Sequence, residues 1–203
     1  IHTPLTVGGG IKRLDDVYSA IRAGADKVSI NTSFFQNLNI LDQTAKYFGS
    51  QSIVVSLDVS RDKQKNYKLF NKNIKNIKLT LFDAIKIAEE TGAGELLISN
   101  IQNDGMKCGY DDFLFNSIKD KIKIPLIMSS GAGSIEHIIK AAKLNIDAIA
   151  VGNMLNFTEM SVILIKEILQ RENINFRLET FANFRDNPFN RKIQRIANHS
   201  EQT

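Results

Sequence analysis

Pro125-Leu-Ile-Met-Ser-Ser-Gly-Ala-Gly-Ser134 and Pro4-Leu-Thr-Val-Gly-Gly-Gly-Ile-Lys-Arg13 are two copies of one pattern: a short apolar run, small residues, then the start of an amphipathic helix. Their offset is 125 − 4 = 121 residues, and it holds without a gap from Pro4 to Thr32. Leu5 meets Leu126, Gly10 meets Gly131, Ala20 meets Ala141 and Asp26 meets Asp147. The second strands then align, Lys27-Val-Ser-Ile-Asn-Thr32 with Ala148-Ile-Ala-Val-Gly-Asn153. Glycines after a strand let backbone come close to a ligand, and the following helix offers N–H groups and a positive dipole end. Asn31-Thr32 and Gly152-Asn153 add amide and hydroxyl donors at the ends of the second strands. Two such units suggest two phosphate sites, one at each end of a long substrate. The plainer alternative is that such turns only join strand to helix.

Outward from the repeat, strands are expected at Leu5–Val7, Lys27–Ile30, Ile53–Leu57, Leu96–Ser99, Ile124–Met128 and Ala148–Val151. Helical periodicity falls at Leu14–Ala23, Leu38–Phe48, Leu81–Thr91, Asp112–Lys119, Ile135–Leu144 and Glu159–Gln170. The polar stretch from Arg61 to Lys78 reads as a loop holding a short strand at Tyr67–Phe70. Six alternations of strand and helix call for parallel pairing. An offset of 121 residues spans four βα units, the half-barrel period of a (β/α)8 TIM barrel, so a barrel is expected rather than an open doubly wound sheet. Six of the eight units are present, in one domain over residues 1–179, with a tail at 180–203 of unassigned role.

A chain of 203 residues suits one domain, and a formal charge of +4 with a pI near 9.1 is mildly basic. The lysines are scattered over helix faces, which argues for a solvated surface and against a nucleic-acid patch; phosphate substrates fit the same balance. One cysteine, Cys108, excludes an intrachain disulfide framework and agrees with a cytoplasmic setting. No apolar run is long enough for a membrane span, and the first residues do not read as a signal peptide. His2, His137 and His199 have no metal-ligand spacing, and no cofactor is implied.

Val7-Gly-Gly-Gly-Ile11, Gly24-Ala-Asp-Lys-Val-Ser-Ile-Asn-Thr32, Phe48-Gly-Ser-Gln51, Val54-Val-Ser-Leu-Asp58, Gly92-Ala-Gly-Glu95, Asp104-Gly105 with Gly109-Tyr-Asp111, and Ser130-Gly-Ala-Gly133 occur in this order. Together they resemble the cyclase subunit family of imidazole glycerol phosphate synthase, from Pro4 to about Glu179. The resemblance implies a (β/α)8 barrel that takes ammonia from a glutamine amidotransferase subunit. It implies a lyase/cyclase reaction of histidine biosynthesis: cleavage of a ribulose-linked nucleotide bisphosphate, closing imidazole glycerol phosphate and releasing an aminoimidazole carboxamide ribotide. Asp58 matches a catalytic acid/base; a capping or loop Asp is the alternative. Gly10, Asn31 and Thr32 match one phosphate site, and Asp104, Gly105, Gly131, Gly152 and Asn153 fall in the other. Asp104 is an odd neighbour for an anion and is expected to order its loop. Lys27 and Glu95 match the charged gate for ammonia at the far end of the barrel; a surface ion pair is the alternative.

The departures are specific. The family's first two strands, with a second catalytic Asp and half of the charged gate, have no counterpart here. An open six-stranded barrel with two unpaired edges, behaving as a fragment of a longer chain, is therefore expected. Gln102 stands where Asp is usual, and Ser130 where Gly is common. Residues Asn71 to Lys78 lack the family's Gly-Gly and Thr-Gly pattern, and Thr180–Thr203 has no counterpart. Gln51-Ser-Ile-Val-Val-Ser-Leu-Asp-Val59 leans towards a related branch that supports amidination of surface-polysaccharide sugars. The alternatives to the cyclase are therefore that role and an inactive remnant of the fold.

Overall fold

The computed structural model describes residues 3–64, 66–157 and 161–176. The chain divides into two compact units, 1–162 and 163–203. The expected tail at 180–203 lies outside the described residues. In the first unit the strands are β1 (Thr6–Gly8), β2 (Lys27–Ile30), β3 (Ile53–Arg61), β4 (Tyr67–Phe70), β5 (Glu95–Asn100), β6 (Leu126–Ser129) and β7 (Ala148–Ile149). The helices between them are α1 (Leu14–Arg22), α2 (Thr32–Gln36), α3 (Asn39–Phe48), α4 (Leu81–Glu90), α5 (Asp112–Ile118), α6 (Ile135–Ala142) and α7 (Asn153–Phe157). A further helix, α8 (Val162–Arg171), runs into the second unit, and its buried Ile165 and Leu169 share one face.

The architecture is α/β, a partial (β/α)8 barrel. The sheet order is β1-β2-β3-β5-β6-β7, with every pair on this path parallel. Among the described residues the path ends at β1 and β7, which do not pair with each other. Short βα turns put the helices against the strands, and the core is a cluster of apolar residues from both, mostly aliphatic with Phe34, Phe115 and Tyr110. Central β3 adds four members, Ile53, Val55, Leu57 and Val59, none with exposed surface. Each such side chain contributes about 2 kcal/mol through area removed from water.

Local chemistry sets the helix ends. Asp16 in the first turn of α1 accepts the backbone N–H groups of Lys12 and Arg13 at 2.8 and 2.9 Å. Thr80 caps α4 by accepting the Asp83 N–H at 3.1 Å, and Asp111 caps α5 by accepting that of Leu114 at 3.0 Å. Three expectations need correction. The helical stretch expected from Leu38 has a separate short helix, α2, before it; Asn37, in extended conformation, divides the two. The strand expected to stop at Leu57 continues to Arg61, because β4 folds back to pair with its polar half. The strand expected to reach Val151 stops at Ile149.

The internal repeat is present in three dimensions. Thr6 pairs with Lys27 and Val7 with Val28. Shifted by 121, Ile127 pairs with Ala148 and Met128 with Ile149. The Leu5 N–H donates to the Asp26 carboxylate at 2.7 Å, and the Leu126 N–H to that of Asp147 at 2.9 Å. Each of these bonds ties the start of one strand to the start of the next.

Candidate functional site

Parallel strands bring all their C-terminal ends to one edge, the edge at which barrels of this kind hold ligands. At the ends of β1 and β2 that edge opens into a cavity of about 520 Å³. Its walls are the turn from Gly8 to Lys12, α2 with its cap at Asn31, Thr32, Ser33 and Gln36, and the strand residues Ser29 and Ser56. Lys72 and Asn73, from the loop after β4, close one side. Ser33 clamps the two turns together by donating its hydroxyl to the Ile11 carbonyl at 2.5 Å. Two lysines with amide and hydroxyl donors make a surface suited to an anion. Gly10, Asn31 and Thr32 all line it. One detail of the turn lies outside that donor set: the N–H groups of Lys12 and Arg13, just before α1, are taken by the Asp16 carboxylate.

Asp58 lies beside this cavity for a reason set by strand register. On one edge of β3, β2 pairs as far as Val55, opposite Ile30. On the other edge β5 pairs from Val54 to Val59. The antiparallel β4, pairing Asp58 with Phe70, therefore takes over the edge that β2 has left. The residues that follow Ile30 and Phe70, Asn31 and Asn71, converge over the gap. Asn31 donates its amide to Asp58 Oδ2 at 2.9 Å. Asn71 donates to Asn31 Oδ1 at 2.9 Å and to Thr32 Oγ1 at 3.0 Å. Burial pushes the Asp58 carboxyl above the usual carboxylate range; the Asn31 amide opposes this and the charge of Asp104 adds to it. A carboxyl held in this way can accept and return a proton. Asp58 is an internal strand residue, not a strand end as the sequence suggested. The hairpin that continues β3 is anchored by Tyr67, whose hydroxyl donates to the Asp111 carboxylate at 2.7 Å.

The second copy of the repeat is arranged otherwise. The loop from Ile101 to Tyr110 folds onto the turn at Ser130–Gly133. The Gly109 N–H donates to the Gly131 carbonyl at 2.9 Å, and the Asn103 amide donates to the Gly109 carbonyl at 3.0 Å. Gly131 has φ +103°, and a Cβ there would lie 2.1 Å from the Gly109 carbonyl oxygen. Its glycine is explained by this close approach. Gly105 turns the loop with φ +70°, and Gly152 and Asn153 are exposed at the start of α7. Asp104, Gly105, Gly131, Gly152 and Asn153 follow the C-terminal ends of β5, β6 and β7, but none of them lines the cavity at β1 and β2. At the opposite edge of the sheet, Lys27 and Glu95 form a half-buried ion pair across the start of β3. Among the described residues, no group of three His, Cys, Asp or Glu side chains is placed to hold a metal ion.

Sequence reasoning missed Lys12, Ser29, Gln36, Ser56, Asn71, Lys72 and Asn73. The first three adjoin residues that the repeat had nominated. The last three come from a loop with no repeat partner, and only the pairing of β4 with β3 brings them to the cavity.

A parallel α/β sheet with a polar cavity and a half-buried carboxyl at its C-terminal edge defines a (β/α)-barrel protein. The family model described as "Histidine biosynthesis protein" matches residues 1–161. The imidazole glycerol phosphate synthase subunit HisF of Dictyoglomus turgidum is 40% identical over 180 residues, covering 88% of this chain and 71% of the relative. The subunits of the same name from Pyrobaculum aerophilum and Thermotoga sp. are each 37% identical, covering 88% of this chain and 70% and 71% of theirs. The chain belongs to the histidine biosynthesis protein family and is HisF-like.

Proposed function

We propose that this chain is the cyclase subunit of an imidazole glycerol phosphate synthase. In this reading an amidotransferase subunit delivers ammonia at the Lys27–Glu95 edge, and the ion pair gates its passage. A ribulose-linked nucleotide bisphosphate lies along the ligand edge, with one phosphate in the cavity at Gly10, Asn31 and Thr32. The other falls towards Gly131, Gly152 and Asn153, with Asp104 and Gly105 ordering the loop beside it. Ammonia condenses with the ribulose carbonyl and water leaves; the new nitrogen then attacks the amidine carbon, and the bond from that carbon to the nucleotide breaks, so the imidazole ring closes as the aminoimidazole carboxamide ribotide departs. Asp58 moves protons in this sequence. The observation that carries the reading is the half-buried Asp58 carboxyl, held by Asn31 at the wall of a cavity built for an anion. Its raised proton affinity brings it closer to neutrality, where an acid/base group is most effective.

The test is turnover with ammonium salt and the bisphosphate, in the parent and in Asp58→Asn. The change is nearly isosteric and removes the proton acceptor, so turnover should fall by a factor of about 100 or more, with substrate affinity within a few-fold. Turnover equal to the parent's would remove Asp58 from the mechanism. A second reading is support of sugar amidination by the same barrel. It is favoured by the loop at Asn71–Asn73, which brings one lysine, Lys72, and one amide, Asn73, to the cavity wall in place of the glycine-rich pattern. Under that reading the parent binds phosphate yet does not turn over the bisphosphate.

A further inference from the structure

Asn71 is nearly buried, at 8% exposure, and every polar group of its side chain is used. Its two amide hydrogens go to Asn31 Oδ1 and Thr32 Oγ1, and its carbonyl oxygen accepts the Asn73 N–H at 2.9 Å. Turning this amide over would set oxygen against oxygen at Asn31 and N–H against N–H at Asn73, so a single orientation is fixed. The consequence passes on. Asn31 accepts through Oδ1 from Asn71 and therefore presents its own NH2 to Asp58. Thr32 accepts through Oγ1 from the same amide, so its hydroxyl hydrogen is directed elsewhere, and Thr32 lines the cavity. We propose that Asn71 is a positioning residue: it orients the amide of Asn31 towards Asp58 and the hydroxyl of Thr32 towards a bound phosphate, linking the anion cavity to the carboxyl. This rests on the roles given to Asp58 and to the cavity above. Because hydrogen bonds in series strengthen one another, an anion that takes the Thr32 hydrogen also tightens the hold on Asn71.

A double-mutant cycle tests it on the full chain, using Asn71→Ala and Asn31→Ala singly and together. Two quantities are read: the 13C titration of the Asp58 carboxyl, and the affinity for inorganic phosphate by NMR titration. Neither requires turnover. Asn71→Ala should move the Asp58 midpoint upward and weaken phosphate binding about three- to tenfold, the equivalent of one hydrogen bond. In the Asn31→Ala background the same change should leave the Asp58 midpoint in place, since its effect passes through Asn31. Asn71→Ser provides the same comparison if Asn71→Ala does not give a cooperative thermal transition. An unchanged midpoint and unchanged phosphate affinity in the single variant overturn the proposal. An equal midpoint shift with and without Asn31 overturns it as well, as does a parent that binds no phosphate. The reaction itself is judged separately by Asp58→Asn turnover, so either idea can fail while the other stands.

Discussion

The two copies of the repeat, Pro4–Thr32 and Pro125–Asn153, agree at one edge of the sheet and part at the other. Where their strands begin they share register and the same hydrogen bond, from Leu5 to Asp26 and from Leu126 to Asp147. Where the strands end the first copy opens into a cavity, whereas at the second the loop that carries Gly109 packs on the turn at Gly131. A Cβ on Gly10 would meet nothing within 4 Å; one on Gly131 would meet a carbonyl oxygen. The same Gly-rich turn is thus a cradle in one place and a packing joint in the other. The strand starts are repeated because both copies solve one folding problem. The strand ends differ because separate loops reach them.

The largest expected difference between the copies is the response to a methyl group. Gly131→Ala should cost about 3 kcal/mol or more, from a clash with backbone added to a left-handed φ. Gly10→Ala carries only the conformational penalty of φ +77°, about 1 kcal/mol. Equal losses in denaturant unfolding would erase the distinction between cradle and joint. At the shared geometry of the strand starts, Asp26→Ala and Asp147→Ala should each lose about 1 kcal/mol. The two losses should add in the double variant, since the sites are far apart in sheet order. Non-additivity in thermal unfolding would mean that the two copies are coupled through the sheet. Smaller still is the effect at Ser130, the partner of Gly9: both are left-handed, at φ +74° and +91°. Ser130→Gly should be neutral to about 1 kcal/mol stabilising, and a clear loss would show that the Ser130 side chain has a role in the turn.

Asp58, on the strand beside the first copy, carries a pH signature. Its folded-state proton affinity is raised, so its contribution to stability is present below the ordinary aspartate range and is lost as pH rises through the folded value. Asp58→Asn should therefore be more stable than the parent at neutral pH, and the gain should vanish as the acid medium protonates the parent's carboxyl. Unfolding curves at several pH values check the sign.

The fold was legible where hydrophobic pattern and punctuation agree. Lys27–Ile30 was placed to the residue, and so was Tyr67–Phe70, because Gly24 and the polar loop around the hairpin bound them. The continuation of β3 through Ser60 and Arg61 was not legible, since those polar residues read as loop until β4 supplies a partner. At the site, Gly10, Asn31 and Thr32 could be nominated from one strand–turn–helix unit. Asn71 and Lys72 could not, for they lie 40 residues or more beyond Asn31 and reach the cavity only through antiparallel pairing. Gly131 was recognised as special for its turn, but the reason, the carbonyl of Gly109, lies in another loop.

The handover of one edge of β3 from β2 to β4 separates two kinds of change open to this chain over generations. The parallel strands hold the core, and a substitution there is felt as a loss of stability. The loop after β4 contributes Asn71, Lys72 and Asn73 to the cavity and its surroundings while adding little to that core. Its length and composition can drift with small effect on folding. What the cavity accepts can then be revised by a few loop residues, with Asp58 kept on the rigid strand beneath them.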